Sequence, residues 1–307
     1  MLHAPRNDDK EVRKMALAKY RLKGHESFIL REGWITKALF AIDRDPLLFT
    51  VSAGADALGV GTNMAKSIRY WMRTAGLTDE SQATGVHLTE LGRTILQCDP
   101  YLEDIFTLWI IHINIATNYK LATSWNVFFN RLSVSAFKRE ELQPLMTDLL
   151  YESTGEDELP ERSIKDDCAA IILMYAVEKE EAKDPEEKKN SPFRVLGMLY
   201  PEGRTYEKRH PDLETLSPLV VEYMLATAFG SQNGEHHSLG IDEIVDGENM
   251  PGRILNLSRI MVNDCLDKLQ DQEYIIINRT AGLDMVYEKC VIDPEAVVRA
   301  YYEGRAE

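Results

Sequence analysis

The residue types that could act on DNA gather in the first third of the chain. Lys66, Arg69 and Arg73 recur at intervals of three and four residues, which sets them on one face of a helix. Asn63 falls near the start of that helix. Lys and Arg can bind phosphates or guanine and Asn can pair with adenine, so this face has the chemistry of a helix that reads a major groove. The alternative is an ordinary solvated face, because Lys and Arg are commonly exposed.

His25 and Glu26 form a second group that could do chemistry. An imidazole beside a carboxylate can serve acid–base catalysis or metal-assisted cleavage of a phosphodiester. Arg31 and Lys37 follow shortly in the sequence and could bind the DNA backbone. Neighbouring side chains often point in different directions, so a local hydrogen-bonded corner is the alternative to a catalytic site.

The elements that must position the α-helical cations lie between residues 53 and 97. A short helical pattern is followed by a Gly59–Val60–Gly61 turn, a second helix that starts with the cap-type residue Thr62, a polar segment at 78–87 and a closing helix. Gly76 stands where a left-handed helix end is expected. The stripe predicted to be buried is Met64, Ile68, Trp71, Met72 and Ala75. This order predicts a winged helix-turn-helix with residues 78–87 as the wing, although many winged helices bind proteins instead.

The rest of the sequence predicts mainly helices with small β-hairpins. Residues 105–113 are apolar on nearly all sides, which indicates the central helix of a domain, and His112 within it is interpreted as a core histidine. Residues 178–192 are charged and poor in apolar residues, which favours a linker. We therefore expect an N-terminal winged-helix DNA-binding domain at 1–100, a central helical domain at 101–190 and a second winged-helix-like domain at 191–307.

The later domain offers weaker candidates for a site. Its third predicted helix, over residues 251–270, mixes cations with acids. Contact with another protein, including a second copy in a homodimer, is therefore at least as well supported as contact with DNA. A polar loop is expected at residues 232–237 despite two neighbouring histidines. The central region contains five acids that could suggest a metal site, namely Glu156, Asp157, Glu158, Asp166 and Asp167. We interpret them instead as acidic surface at helix ends.

Composition limits the class of protein. The chain has 307 residues, is 44% hydrophobic and carries a net charge of −15. Residues 1–100 hold 14 Lys or Arg against 12 Asp or Glu, whereas the remaining 207 residues hold 21 against 38. A nucleic-acid face is therefore expected in the first third, and the acidic remainder suits a protein partner or solubility.

The sequence also indicates compartment and cofactors. No apolar run approaches the roughly 20 residues that span a bilayer, and the charged start lacks a signal-peptide core, so a cytoplasmic protein with no membrane contact is expected. The four cysteines form no Cys-x-x-Cys pair, which favours buried free thiols. No Gly-Lys-Ser/Thr follows the glycine turn, so no nucleotide cofactor is expected.

Five long runs in order carry a resemblance to a known family. They are GHESFILREGWITKAL, LGVGTNMAKSIRYWMRTAGL, LTELGRTIL, DPYLEDIFTLWIIHINIAT and SWNVFFN. Together they closely resemble the SspB-like DNA nickase subunit family of the bacterial Ssp single-stranded DNA phosphorothioation system, which serves anti-phage defence. The resemblance implies that one DNA strand is nicked so that partner proteins can replace a non-bridging phosphate oxygen with sulfur. The implied partners are a cysteine desulfurase, an ATP-pyrophosphatase-type sulfur enzyme and an ATPase.

Two functions remain open from the residues. One is a metal-assisted nickase of double-stranded DNA, with Mg²⁺ or Mn²⁺ expected, its metal ligands unassigned, and His25 and Glu26 as reacting groups. The other is a non-catalytic winged-helix protein that recognises DNA and recruits modification enzymes or acts as a regulator. The absence of common nuclease signatures from the sequence favours this second function. Both use the same DNA-binding residues, namely Asn63, Lys66, Arg69, Arg73, Arg31 and Lys37.

Overall fold

The computed structural model describes residues 19–81, 83–177, 190–232, 237–280, 283–289 and 293–306. These residues are mainly helical and include three small antiparallel sheets, which confirms the predicted fold class at that level. No helix among them is long and apolar enough to cross a bilayer.

The N-terminal region forms a helix, a glycine turn, a second helix and a hairpin. Its elements are α1 (Trp34–Arg44), 3-10 turns at Leu48–Thr50 and Ser52–Gly54, α2 (Ala55–Leu58), α3 (Thr62–Thr74), β1 (Thr78–Ser81), β2 (Gly85–Leu88) and α4 (Glu90–Cys98). Gly61 is the N-cap of α3, so Thr62 is its first helical residue rather than its cap. Gly76 has a φ of 70°, the left-handed end that the sequence predicted. In the hairpin Thr78 pairs with Leu88.

The central region packs around one apolar helix. Its elements are α5 (Ile105–Thr117), α6 (Thr123–Arg131), β3 (Ala136–Lys138), α7 (Arg139–Thr154), α8 (Glu161–Tyr175), a 3-10 turn at Pro192–Leu196, β4 (Leu199–Glu202) and β5 (Thr205–Lys208). Helix α5 is buried along almost its whole length, as predicted. The three strands were not predicted, because each is only three or four residues long; they pair in the order β3–β5–β4.

His112 on α5 is a satisfied core residue, as expected. Its Nε2 donates to the Ile254 carbonyl at 3.0 Å, and its Nδ1, 2.9 Å from Tyr175 Oη, accepts from that hydroxyl. Burial lowers the pKa of His112 to about 4, so the ring is neutral at physiological pH. The aromatic residues of α6 are likewise buried, namely Trp125, Phe128 and Phe129.

The C-terminal region ends in a helix that returns to the rest of the chain. Its elements are α9 (Pro218–Gly230), β6 (Ser238–Gly240), α10 (Ile241–Asp246), α11 (Pro251–Ile254), α12 (Arg259–Asp271), β7 (Ile275–Thr280), β8 (Leu283–Glu288) and α13 (Pro294–Ala306). The predicted helix over 251–270 is interrupted, because Asn256 adopts a φ of 53°, and Arg253 therefore lies on α11 instead of α12. On α13, which was not predicted, Tyr301 stacks on Phe106 with 3.7 Å between ring centroids.

Three of the cysteines lie in the described residues and are free thiols. Cys168 and Cys265 are buried, as predicted, and Cys98 is exposed, so the prediction was wrong for that residue. Cys98 is the last residue of α4 and continues the spacing of the buried Leu91 and Ile95, but it is exposed at the helix end. Cys290 lies outside the described residues.

Candidate nucleic-acid interface and histidine loop

Helix α3 has one buried and one polar side because its apolar residues recur at helical spacing. Ile68, Trp71 and Met72 are at most 1% exposed, and Ala75 just beyond the helix is fully buried, whereas Met64 is only partly buried. The opposite side, here called the α3 face, consists of Asn63, Lys66, Arg69 and Arg73. Asn63, Lys66 and Arg73 are exposed and Arg69 is half-buried. The four residues therefore share one accessible surface.

The hairpin that follows α3 supplies a carboxylate to this face. Arg69 Nε donates to Glu80 Oε1 at 2.8 Å, and Arg73 Nη1 lies 3.8 Å from Glu80 Oε2. The Arg69 guanidinium also lies 5.4 Å from the centroid of the Phe49 ring. Lys66 has no carboxylate partner among the described residues. Exposed ion pairs contribute only about 0–1 kcal/mol, so the pairing with Glu80 adds little to the stability of the free protein.

The other two cations that were predicted to bind DNA lie on or next to α1. The ammonium of Lys37, which is exposed, donates to the Leu58 carbonyl at 3.4 Å, directly before the glycine turn that leads to α3. Arg31 lies instead in a separate cleft that contains none of the α3 cations. The structure thus brings Lys37 towards the start of α3 and Arg31 to a different part of the surface.

His25 is held in the core by a carboxylate that is 142 residues away. It is 1% exposed, and its Nε2 lies 2.9 Å from Oδ1 of Asp167 on α8. The imidazole also stacks on Trp71 at 5.9 Å between centroids. Asp167 accepts further bonds from the Ser124 hydroxyl at 2.6 Å and from the Lys23 amide at 3.0 Å. Asp167 is 1% exposed, so its interpretation as surface acid was wrong.

The segment around His25, residues 23–27, is here called the histidine loop. Lys23, Glu26 and Ser27 adopt φ values of 54°, 51° and 67°, in the left-handed region that side chains rarely occupy. Each such residue costs about 1–3 kcal/mol and persists only where its surroundings fix it. At Gly24 an added Cβ would approach the Tyr70 ring to 2.3 Å. The bonds to Asp167 and this close approach fix the loop.

The two residues proposed for catalysis point to different environments. His25 is buried against Asp167, whereas Glu26 is exposed. The imidazole Nδ1 is buried without a hydrogen-bond partner in the described part of the chain. His25 and Glu26 therefore do not form an acid–base couple with each other in this arrangement, and their assignment as reacting groups stays a prediction.

The described residues do not offer a metal site. Nowhere among them do three or more His, Cys, Asp or Glu side chains gather as ligands for an ion. The carboxylate of Asp167 already accepts from three residues, which leaves it little capacity for a cation. The present side chains thus do not fit Mg²⁺ or Mn²⁺ by themselves, and the metal stays a prediction.

The C-terminal region presents a poorer cationic surface than α3. Arg259 binds Asp242, and Arg279 on β7 donates to Asp267 at 2.7 Å. The loop expected at 232–237 lies mostly outside the described residues, but His237 Nδ1 is 2.9 Å from Glu288 Oε2.

Glu80 was not singled out from the sequence and Asp167 was interpreted as surface acid, although each left a signal. The segment 78–87, which was predicted to be a wing, contains Asp79 and Glu80 and no Lys or Arg, which indicates an acidic partner beside the α3 cations. Asp167 falls three residues after Ile164 and four before Ile171, both buried on α8. An acid at that spacing lies on the buried stripe of its helix, which predicts a buried carboxylate with partners.

Comparison with known proteins identifies the fold. Residues 22–302 match the profile of a family described as "Protein of unknown function (DUF4007)". No curated protein matches the sequence. A crystal structure of magnesium ion-bound SspB is similar with a TM-score of 0.82 and 23% identity, over 95% of this chain and 90% of that one. A second SspB crystal structure has a TM-score of 0.81 and 22% identity over the same shares. The SspB-like fold expected from the sequence is therefore confirmed.

Proposed function

The chain belongs to the DUF4007 family, and from this premise we propose that it binds double-stranded DNA and nicks one strand during bacterial phosphorothioate modification. The observation that carries DNA binding is the accessible α3 face, which follows a glycine turn and precedes a two-stranded hairpin. In this proposal residues 55–98 are a winged helix, α3 lies in the major groove and β1–β2 is the wing. The proposal also divides the chain into three domains, at residues 1–100, 101–190 and 191–307.

Binding of the duplex would exchange partners on the α3 face. Phosphates would replace Glu80 beside Arg69 and Arg73, and they would meet Lys66, which has no carboxylate partner among the described residues. Asn63 at the start of α3 would contact a base edge. Lys37 would add a backbone contact beside the glycine turn. Because β1 carries Asp79 and Glu80, we expect the helix rather than the wing to supply most of the phosphate contacts.

Strand cleavage is assigned to the histidine loop. Water would add to the phosphorus while the bond to the leaving oxygen breaks; exposed Glu26 would take one proton of that water, and the leaving oxygen would take a proton from solvent water. His25 would reach DNA only after the loop opens, because it is 1% exposed. Dependence on Mg²⁺ or Mn²⁺ is proposed because the similar SspB structure is magnesium-bound, with ligands that the described residues do not supply.

A nicking role also implies partner proteins. The nick would open the strand for sulfur insertion by a cysteine desulfurase, an ATP-pyrophosphatase-type sulfur enzyme and an ATPase. A homodimer is proposed through the C-terminal region, where cations are paired with acids.

Conversion of supercoiled plasmid to open circles tests this function. The purified chain is incubated with plasmid in Mg²⁺, Mn²⁺ or EDTA, alongside an Arg69→Glu/Arg73→Glu variant. The matched control is Arg162→Glu/Lys165→Glu, which reverses the charge of two exposed cations that share one face of α8. We expect metal-dependent nicking by the wild type and the control, and its loss together with duplex binding in the α3 variant. Equal nicking by all three proteins would contradict a role for the α3 face.

The second candidate is a non-catalytic protein that recognises DNA and recruits the modification enzymes. It is favoured by the lack of a metal-binding cluster in the described residues and by the burial of His25. Duplex binding without nicking, even after the partner proteins are added, would establish this function in place of the first.

A further inference from the structure

A cleft beside the start of α1 combines an arginine with an exposed aromatic ring. Its volume is about 260 Å³, and the residues of its wall used below are Arg31, Thr36, Tyr101 and Val195. These residues come from α1 and its entry, from the segment between α4 and α5, and from the 3-10 turn at Pro192–Leu196. Tyr101 and Val195 are 66% and 64% exposed, so the cleft opens to solvent between two apolar side chains.

Arg31 is a cation that lacks a counter-ion in the described part of the chain. Its guanidinium lies 5.5 Å from the Phe28 ring centroid and 5.2 Å from that of Trp34, which fixes the side chain against aromatic faces. Its Nε is buried without a hydrogen-bond partner among the described residues. Burial lowers the pKa of Arg31, yet an arginine stays protonated in proteins. An anion in the cleft would supply the missing counter-ion.

Tyr101 offers a ring face to a ligand. Its ring centroid lies 6.2 Å from that of Phe40 on α1, so the ring is supported by the protein while most of the residue is exposed. A supported and exposed aromatic ring is the surface on which single-stranded nucleic acids stack their bases. An apolar protein segment could also cover Tyr101, but it would leave Arg31 without an anion.

We propose that this cleft binds one nucleotide of single-stranded DNA, with its base on Tyr101 and its phosphate on Arg31. The cleft has about 260 Å³, close to the lower limit of ~300 Å³ for ligand pockets, so it has room for at most one nucleotide. Helix α1 joins the cleft to the α3 face, because Thr36 lines the cleft and neighbouring Lys37 reaches the turn before α3. The inference rests on the proposed function, in which a nick frees a strand end near α3.

A fluorescent base tests the cleft. The full-length protein is titrated with a short single-stranded oligonucleotide that contains 2-aminopurine, whose fluorescence falls on stacking, and separately with a labelled duplex. The variants are Tyr101→Ala, Tyr101→Phe and Arg31→Gln, and Tyr287→Ala removes an exposed tyrosine elsewhere as the matched control.

We expect Tyr101→Ala to weaken single-strand binding about tenfold and to abolish the fluorescence change. Tyr101→Phe and Tyr287→Ala should both behave as the wild type. Arg31→Gln should reduce the salt dependence of the single-strand affinity by the amount expected for the loss of about one phosphate contact. Tyr101→Ala and Tyr101→Phe should leave duplex binding intact.

Unchanged single-strand affinity in Tyr101→Ala would overturn the inference, as would a wild type that binds the duplex but no single strand. Either result leaves the proposed function standing. Tyr101-dependent binding of the single strand without any duplex binding would support the cleft and overturn the proposed duplex recognition. If the cleft bound an apolar peptide but did not bind the oligonucleotide, the assignment of a nucleotide as its ligand would be overturned.

Discussion

Glu80 on β1 contacts two arginines of α3 at once, with Arg69 Nε 2.8 Å from its Oε1 and Arg73 Nη1 3.8 Å from its Oε2. The hairpin therefore holds the guanidinium groups in place and also neutralises part of the cationic face. If the proposed function holds, a carboxylate in this position would compete with DNA phosphates for the same donors and would restrain duplex binding.

Neutralising Glu80 should tighten duplex binding. We expect Glu80→Gln to bind a duplex about two- to fivefold more tightly at low salt, because exposed pairs of this kind contribute up to about 1 kcal/mol. Asp79→Asn removes the same charge from the neighbouring exposed residue and should give a smaller gain. Fluorescence anisotropy measures both. A weaker complex with Glu80→Gln would show that the hairpin's main role is to order the arginines.

Local signals were sufficient to predict the α3 face. The spacing of Ile68, Trp71 and Met72 fixes the buried side of the helix, and Gly76 permits its left-handed end. Each signal lies within one or two turns of the residue that it determines, so no tertiary information is needed. The exposure of Lys66 and Arg73 follows directly.

The environment of His25 could not be predicted in the same way. Its partner Asp167 lies 142 residues later, and the left-handed φ values at Glu26 and Ser27 follow from tertiary bonds that local propensity does not report. The sequence therefore indicated a chemically suitable pair but not that one member is buried and the other exposed. Strands β3–β5 were missed for a related reason, since strands this short are defined by their pairing partners.

Loss of the Asp167 carboxylate should destabilise the protein. We expect Asp167→Asn to lower the free energy of unfolding by about 1–3 kcal/mol, because the amide has one acceptor oxygen for the bonds from His25, Ser124 and the Lys23 amide. Denaturant titration measures the change. Asp166→Asn is the matched control, since this neighbour is 30% exposed and pairs with Lys23 at the surface. Its effect should stay below about 1 kcal/mol, and equal losses would refute a special role for Asp167.

Replacement of Glu26 should separate chemistry from folding. Because Glu26 is exposed, we expect Glu26→Gln to keep the melting temperature and duplex affinity of the wild type. If it is the base, the rate of plasmid nicking should fall by about 10²–10⁴-fold, since glutamine cannot take a proton. Glu152→Gln changes a similarly exposed residue on α7 and should leave the rate unaltered. A wild-type rate in Glu26→Gln would remove this residue from the proposed reaction.

Glu222 on α9 should make stability depend on pH. It is 2% exposed, its Oε2 lacks a hydrogen-bond partner within the described residues, and burial, with a smaller effect from Glu288, raises its pKa from 4.5 to about 7. Between these values the folded protein binds more protons than the unfolded chain, so stability falls as pH rises. The contribution is complete below pH 4.5 and is lost above about pH 7, a change of about 3 kcal/mol.

The Glu222→Gln variant should remove this slope, because its side chain stays neutral at every pH. We expect it to unfold at a higher temperature than the wild type above pH 7, and the difference should shrink towards pH 5. Melting curves collected from pH 5 to pH 8 measure both trends. Glu243→Gln, at an exposed position of α10, should run parallel to the wild type because an exposed carboxylate stays hydrated in the folded chain. A Glu222→Gln curve that also runs parallel would mean that Glu222 is ionised in the folded protein throughout this range.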